Sequence, residues 1–193
     1  MPDLNNKSED LTYQLVRIND DPELMKVYFM WEINEDEKEL FCYQDFNPEL
    51  APYSEERFLQ FQKHFKVTLA ASAYYLLQDK HTGQYIGFVC LHNFIKRNRS
   101  SEVSFAMFND FRGNGLGSIM LSLFLARIFE KDFPWLHKIY GETSSLNIRA
   151  SKVMEKNGFK KDGSLRDHYN IKGNFYDQYL YSLLKSEWNL GKT

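Results

Sequence analysis

Apolar and polar positions alternate along this chain in a pattern that predicts both strands and helices. Residues 11–18 alternate with a period of two, as in a half-buried strand, and residues 22–31 have helical spacing with Pro22 near the start. A second helix is predicted from 54 to about 65, because Ser54 is a good N-cap residue. Further strands are predicted at 73–78, 84–94, 102–108, 137–143, 159–169 and 175–185, and further helices at 115–131 and 147–157. The expected fold class is α/β (α+β), a mixed sheet flanked by helices.

The size and composition of the chain fit one compact domain. Its 193 residues are 43% hydrophobic and 16% aromatic, so we expect a single domain over residues 11–190 after a frayed N-terminus at 1–10. The net charge of −2 argues against a dedicated DNA or RNA binder, which normally carries a basic excess. The chain shows no signal-peptide core and no apolar stretch long enough to span a bilayer, which predicts a cytoplasmic protein without membrane contact.

The two cysteines predict neither a metal site nor a cysteine nucleophile. Cys42 and Cys90 lie far apart and show no metal-ligand spacing. Reduced thiols are the simpler interpretation, although a disulfide between the two stays open. We therefore expect no metal ion and no covalent enzyme intermediate.

The segment 111–118, with the sequence Phe-Arg-Gly-Asn-Gly-Leu-Gly-Ser, is the most informative part of the chain. It follows the predicted strand 102–108 and opens the apolar helix 115–131. Glycines permit backbone conformations that other residues resist, and the first turn of a helix presents N–H groups that suit a pyrophosphate. No Gly-Lys-Ser/Thr follows, as an ATP-binding Walker loop requires, and the third glycine of a dinucleotide motif is replaced by Met120. The segment predicts a phosphate-binding loop for another nucleotide-like ligand.

Two motifs in this order resemble the GNAT superfamily of N-acetyltransferases. Arg112, Gly115 and Gly117 match the family's acetyl-CoA loop, Arg/Gln-x-x-Gly-x-Gly/Ala. About 30 residues later, Glu142-x-x-x-x-Asn147-x-x-Ala150, followed by Glu-Lys-Asn-Gly-Phe at 155–159, resembles the family's fifth strand, its Asn-headed helix and the corner after it. From Trp135 onward the sequence is most similar to the subgroup that holds the Rim-type N-terminal acetyltransferases of ribosomal proteins and the bacterial spermidine acetyltransferases.

The resemblance implies a fold and a donor site. The fold is a mixed, mostly antiparallel seven-stranded sheet that splays between strands 4 and 5, and the donor is acetyl-CoA, whose pantetheine arm lies in that gap. The implied cofactor-binding residues are Phe105, Ala106, Met107, Phe108, Arg112, Gly113, Asn114, Gly115, Leu116, Gly117, Ser118 and Asn147. From the residues alone, Phe105 and Met107 are equally well explained as core residues, and Asn147 as a helix cap that is compatible with a ligand contact.

The chemistry implied by the resemblance is attack by a neutral amine on a thioester, which requires a base because an ammonium ion is not a nucleophile. Glu142 matches the position of the base in Rim-type enzymes. Glu102 is the rival carboxylate, and a structural ion pair is the alternative role for Glu142. Family members usually carry a proton-donating tyrosine seven residues after the Asn, but here that residue is Met154, which donates no proton. Ser151 is the candidate substitute.

The acceptor is predicted to be a primary amine, with a protein N-terminus of the ribosomal-protein type as the first choice. A polyamine, amino sugar or aminoglycoside is the alternative, and a non-catalytic CoA-binding module, favoured by Met154, is a third. An acidic run from Glu32 to Glu39 suits a polycation but is also typical of a solvated loop. The candidate acceptor-binding residues are Glu32, Glu102, Tyr169 and Tyr176. A homodimer is compatible with the sequence.

Overall fold

The computed structural model describes residues 12–34 and 53–190. The strands are β1 (Tyr13–Ile18), β2 (Ala73–Asp79), β3 (Tyr85–Ile95), β4 (Ser100–Met107), β5 (Lys138–Ser144), β6 (Lys160–Ile171) and β7 (Asn174–Leu184). The helices are α1 (Pro22–Asn34), α2 (Glu55–Ala70), α3 (Leu116–Arg127), α4 (Ile148–Lys156) and α5 (Lys185–Leu190). The expected frayed segment 1–10 lies outside the described residues.

The seven described strands form one sheet in the order β1-β2-β3-β4-β5-β7-β6. Only the β4–β5 pairing is parallel among these strands, and the other five pairings are antiparallel. The mixed, mostly antiparallel seven-stranded sheet flanked by helices is therefore confirmed. Among the described residues, no helix is both long and apolar enough to cross a membrane.

The two faces of the sheet carry separate apolar cores. Successive strand residues point to opposite faces, so β2 sends Tyr75 and Leu77 into the core that contains Phe124 of α3, and Leu76 into the core that contains Phe29 of α1. The first core also holds α4, and the second also holds α2. Helices α3 and α4 therefore lie on one side of the sheet, and α1 and α2 on the other.

The predicted splay between strands 4 and 5 is confirmed by the hydrogen-bonding register. The two strands pair only from Ser100 opposite Lys138 to Glu102 opposite Tyr140, whereas β4 continues to Met107 and β5 to Ser144. At the point of divergence, Gly141 packs so closely on β4 that a Cβ atom there would lie 3.0 Å from the Val103 carbonyl oxygen. Beyond this contact the edges of β4 and β5 separate, which opens a gap in the middle of the sheet.

Several helical segments differ from the sequence-based expectation. Helix α1, predicted to end at residue 31, runs to Asn34, and α2, predicted to end at about residue 65, runs to Ala70. The helix predicted at 115–131 is α-helical only to Arg127 and continues as a π-helical turn, Ile128–Asp132. The last strand, predicted to reach Lys185, ends at Leu184 and is followed directly by α5. Helix α5 forms because the Glu187 carboxylate accepts the Leu184 N–H at 3.1 Å and the Trp188 ring packs 5.2 Å from the Phe129 ring. The hydrogen bond is local, but the ring contact is a tertiary one that residues 185–190 alone do not reveal.

Candidate active site

A groove of about 340 Å³ lies at the splay, between the end of β4, the loop before α3, and α4. This volume falls within the range of small-molecule sites. Of the predicted cofactor residues, those that line it are Phe105, Ala106, Met107, Arg112, Gly113, Gly115, Leu116, Gly117, Ser118 and Asn147. Ten of the twelve predicted positions therefore share one groove, while Phe108 and Asn114 are not part of its lining.

The loop before α3 has the backbone that a phosphate site requires. Gly113 and Gly115 have φ angles of +85° and +77°, and a Cβ atom on either would meet no other atom within 4 Å. Glycine is needed there for its backbone conformation, since L-residues with side chains resist positive φ. Gly115 is the N-cap of α3 and brings no side chain to bond the first-turn N–H groups. That end of α3 therefore presents backbone donors and the positive end of its dipole to the groove.

Arg112 joins this loop to β4. Its Nε donates a hydrogen bond of 3.0 Å to the Met107 carbonyl oxygen, so the guanidinium is held where the strand ends and the loop begins. The guanidinium is a planar cation with several donors, which suits phosphate recognition. Arg112 therefore combines a structural contact with a positive charge in the groove lining.

Helix α4 forms the opposite wall. The Asn147 Oδ1 accepts the Ala150 N–H at 3.1 Å and caps the helix, and the same residue lines the groove, so both roles anticipated for Asn147 are compatible with its position. At the other end of α4, Asn157 Nδ2 donates a hydrogen bond of 3.1 Å to Ser118 Oγ and one of 2.9 Å to the Val153 carbonyl oxygen. These bonds tie the first turn of α3 to the end of α4 and fix the width of the groove.

Ser151 and Met154 lie on the side of α4 that faces the sheet, outside the groove lining. Met154 is 2% exposed and packs in the core with Gly141 beside it. Ser151 is 9% exposed and hydrogen-bonds Tyr181, whose pKa lies above its usual value because burial raises it more than that bond lowers it. The Tyr181 hydroxyl in turn donates a hydrogen bond of 3.0 Å to Glu155 Oε1. The geometry thus gives the Ser151 side chain a contact with β7, and Ser151 is not among the residues that line the groove.

The candidate base Glu142 is an exposed side chain on β5, past the last β4–β5 pair. Its Oε1 accepts a hydrogen bond of 3.2 Å from the Tyr169 hydroxyl, and that hydroxyl oxygen accepts one of 2.9 Å from the Gln178 amide. Tyr176 lies opposite Tyr169 in the β6–β7 pairing. The structure therefore brings Glu142 and Tyr169 together, with Tyr176 on the next strand.

Glu102, the rival carboxylate, has its own set of partners. Its Oε2 accepts a hydrogen bond of 2.8 Å from Asn93 Nδ2 and lies 3.9 Å from His92 Nδ1, while His92 Nε2 lies 2.8 Å from Ser104 Oγ. Tyr140 pairs with Glu102 across the strands, and burial raises the pKa of its phenol, as do the nearby Glu102 and Glu142 carboxylates. The two carboxylates thus both raise the pKa of the Tyr140 phenol at the start of the splay.

The remaining predicted acceptor-side positions lie near α1. Glu32 is a half-buried residue of α1, and the rest of the acidic run lies outside the described residues. A second groove, lined by Glu23, Lys26, Trp31 and Phe108 among others, runs between α1 and the end of β4. Phe108, predicted as a cofactor residue, packs with the α1 and α2 core on this side. Its side chain lies on the opposite side of β4 from the first groove because side chains alternate along the strand.

Cys90 is excluded as a nucleophile by its environment. The side chain is buried in the core with α1, and burial raises the pKa of its thiol to about 12. A thiol with this pKa is protonated at neutral pH, whereas the thiolate is the reactive form. Cys42 lies outside the described residues.

Comparison with protein families identifies the architecture. Residues 6–160 match the model of the acetyltransferase (GNAT) domain family. The chain belongs to this family. The family predicted from the glycine loop and the Asn-headed helix is therefore confirmed, and GNAT acetyltransferases use acetyl-CoA as their donor.

Curated relatives of this GNAT domain come from bacilli. The chain is 29% identical over 106 residues to YdaF of Bacillus subtilis (strain 168), named as a candidate ribosomal N-acetyltransferase, covering 55% of this chain and 57% of the relative. It is 29% identical over 112 residues to the N-acetyltransferase p20 of Bacillus licheniformis, covering 56% and 60%. The chain thus matches these two relatives over less than two thirds of their length.

Solved structures share the whole GNAT fold. The spermidine N-acetyltransferase of Vibrio cholerae, solved in complex with CoA and spermine, superposes with a TM-score of 0.76 over 92% of this chain and 98% of that one, at 20% identity. A dodecameric structure of the Vibrio cholerae enzyme in an intermediate state superposes at 0.71 over 92% of this chain and 96% of that one, at 20% identity. At these identities the likeness shows the fold.

The predicted cofactor-binding residues did not include every residue that lines the groove. Arg149, Lys152 and Lys156 of α4 line it, as do Phe111, Ala150 and Val153. The three cations are spaced at three and four residues, which would have identified them as one helix face, but nothing in the sequence says which face meets the ligand. His92 and Asn93 were also missed, because their contact with Glu102 depends on the β3–β4 register.

Proposed function

We propose that this chain is an acetyl-CoA-dependent N-acetyltransferase that transfers an acetyl group to a primary amine. The observation that carries the proposal is the meeting of two unlike surfaces at the β4–β5 splay. The groove on the α3 and α4 side offers a glycine loop, a helix N-terminus and cations. Around the start of the splay stand two carboxylates, Glu102 and Glu142. The first surface suits a polyphosphate, and the second suits a cationic amine.

The groove residues fit acetyl-CoA, which supplies an activated acetyl thioester when bound. The Gly113–Gly115 backbone and the first turn of α3 are suited to bind the pyrophosphate, together with Arg112. The edge of β4 from Phe105 to Met107 has no ladder partner on β5, so its backbone groups are suited to bind the pantetheine amides. Asn147 lines the groove at the head of α4 and adds a polar side chain.

Glu142 is the proposed general base. An acceptor amine is an ammonium ion at neutral pH and must lose a proton before it can attack. Glu142 is exposed, so an acceptor can reach its carboxylate, and the Tyr169 hydroxyl holds one oxygen in place. Glu102 is held more tightly, by Asn93 and beside His92, which favours a role in attracting the cationic acceptor.

No residue is assigned the role of the proton-donating tyrosine that GNAT family members usually carry. Met154 donates no proton and is packed in the core. Ser151 was the predicted substitute, but its position beside Tyr181 supports a packing role, so we assign it no proton transfer. Turnover in the absence of this acid is therefore part of what an assay must establish.

For the acceptor, we propose a protein N-terminus first, because a curated relative is named as a candidate ribosomal N-acetyltransferase. A small polyamine is the second candidate. The two carboxylates around Tyr140 suit a multiply charged amine, and the Vibrio cholerae neighbour is named as a spermidine N-acetyltransferase. Both acceptors require the same acetyl transfer and differ only in what occupies the α1 side of the sheet.

The test is release of the CoA thiol from acetyl-CoA with peptides bearing free N-termini, spermidine, an amino sugar and an aminoglycoside. A calorimetric titration with acetyl-CoA runs beside it. Turnover with one class identifies the acceptor, whereas tight binding without turnover on any acceptor favours a CoA-binding module. Absence of acetyl-CoA binding would overturn the proposal.

A further inference from the structure

Helix α4 presents three cations to the groove, at Arg149, Lys152 and Lys156. Steps of three and four residues place side chains on one face of a helix, so the three charges follow the length of this wall. Arg112 adds a fourth positive charge across the groove, and no acidic residue occurs among its described lining residues. The groove therefore carries more positive charge than one pyrophosphate requires.

The acidic residue of α4 points elsewhere. Glu155 lies between Lys152 and Lys156 in sequence, but its Oε1 accepts a hydrogen bond from the Tyr181 hydroxyl of β7. The helix thus separates its charges, with the carboxylate toward the sheet and the cations toward the groove. Glu155 follows Lys152 by three residues, a spacing at which helical side chains are neighbours, and its carboxylate is held on the Tyr181 side.

The position of Arg149 is also unfavourable for the helix itself. It is the second residue of α4, close to the positive end of the helix dipole, where a cation is unfavourable. Lys156 in the last turn complements the dipole, but Arg149 does not. An anionic ligand in the groove would offset this cost and would use all three charges.

We propose that Arg149, Lys152 and Lys156 form a recognition site for a nucleotide phosphomonoester, the 3′-phosphate of CoA. This inference rests on the proposed function, since it requires CoA in this groove. CoA carries this phosphate in addition to its pyrophosphate, and a phosphomonoester bears about −1.5 to −2 charges near neutral pH. The site would make the chain select CoA over donors that lack the 3′-phosphate, such as dephospho-CoA or an acyl group on a carrier protein.

The experiment is a calorimetric titration of the full chain with CoA and with dephospho-CoA, which needs no acceptor and no turnover. We expect CoA to bind about tenfold more tightly, equivalent to about 1.4 kcal/mol. In Lys152→Gln/Lys156→Gln, and separately in Arg149→Gln, the affinity for CoA should fall toward that for dephospho-CoA. The affinity for dephospho-CoA should stay within about twofold, because an isolated phosphate contact is lost.

The matched control is Lys63→Gln/Lys80→Gln, which removes two exposed charges from α2 and from the turn after β2. It should leave the preference for CoA intact, and thermal unfolding checks that every variant is folded. Equal affinity of the wild type for both ligands would overturn the inference, as would an unchanged preference in the α4 variants. Failure of both ligands to bind the wild type is a different result, because it removes the proposed function as well.

Discussion

The Tyr169 hydroxyl donates a hydrogen bond of 3.2 Å to Glu142 Oε1 from two strands away. Tyr169 lies on β6 and Glu142 on β5, with β7 between them. Strand β7 contributes Gln178, whose amide donates a hydrogen bond of 2.9 Å to the same phenol oxygen. Three strands thus cooperate to hold one oxygen of an otherwise exposed carboxylate. Such a support orients a base without burying it.

Replacing the candidate base tests its role directly. Glu142→Gln keeps the shape of the side chain and removes its basicity, so we expect turnover to fall at least about tenfold. Binding of acetyl-CoA, measured by calorimetry, should be unchanged. Tyr169→Phe removes only the supporting hydrogen bond and should cost less than Glu142→Gln. If Glu102→Gln lowers turnover as much as we expect for Glu142→Gln, and Glu142→Gln does not, the base is Glu102.

Reversing the charge of Arg112 should weaken the binding of acetyl-CoA while the protein stays folded. Arg112→Glu places a carboxylate beside the phosphates, so we expect acetyl-CoA affinity to fall more than about tenfold. The variant also loses the bond to the Met107 carbonyl, so its thermal unfolding is measured alongside. Lys63→Glu, a charge reversal on the exposed side of α2, is the control and should bind normally. An unaltered affinity of Arg112→Glu would count against the phosphate site.

The left-handed backbone at Gly115 has a measurable cost for any other residue. Gly115→Ala meets no atom within 4 Å, so the expected loss of stability comes from φ alone, about 1–2 kcal/mol in the free energy of unfolding. Gly163→Ala is the matched control, because Gly163 is equally open but has no positive φ. Urea unfolding of the two variants gives the comparison. Equal stabilities would show that the loop relaxes to accommodate the side chain.

Asp132 should make stability depend on pH. Burial alone would raise the pKa of this carboxyl, but hydrogen bonds from Tyr75 and Arg127 and the charges of Arg127 and Arg17 hold the pKa below its usual range. A lowered folded-state pKa contributes stability above the unfolded value, about 3.9, and this contribution is lost as pH falls through the folded value.

The corresponding variant is Asp132→Asn. We expect it to be less stable than the wild type at neutral pH and to approach the wild type below about pH 4. Urea unfolding across this range measures the difference. Asp110→Asn, an exposed position, serves as the control for a change of net charge. A difference between Asp132→Asn and wild type that stays constant down to acidic pH would contradict the assignment.

Much of the fold and of the candidate donor site follows from local sequence. The glycines at 113, 115 and 117 predicted backbone conformations that other residues resist, and the structure has positive φ at Gly113 and Gly115 but not at Gly117. Asn147 was predicted as a helix cap, and its side chain accepts the N–H of Ala150, three residues later. Alternating apolar positions predicted the strands to within about three residues at either end. These features depend on residues that are neighbours in the chain, so the chain alone determines them.

Tertiary structure decided the features that depend on facing and register. The Ser151 side chain faces Tyr181, and the Phe108 side chain packs on the α1 side of the sheet. Neither lines the groove, because packing selects which face of a helix or strand meets a cavity. The contacts of Glu102 with His92 and Asn93 arise from the β3–β4 register, and α5 forms because Trp188 meets Phe129. The sequence by itself determined the seven strands, helices α1 to α4, the glycine loop and the family motifs. Only the folded sheet decided which charges share a groove, because residues far apart in the chain become neighbours only when the strands pair.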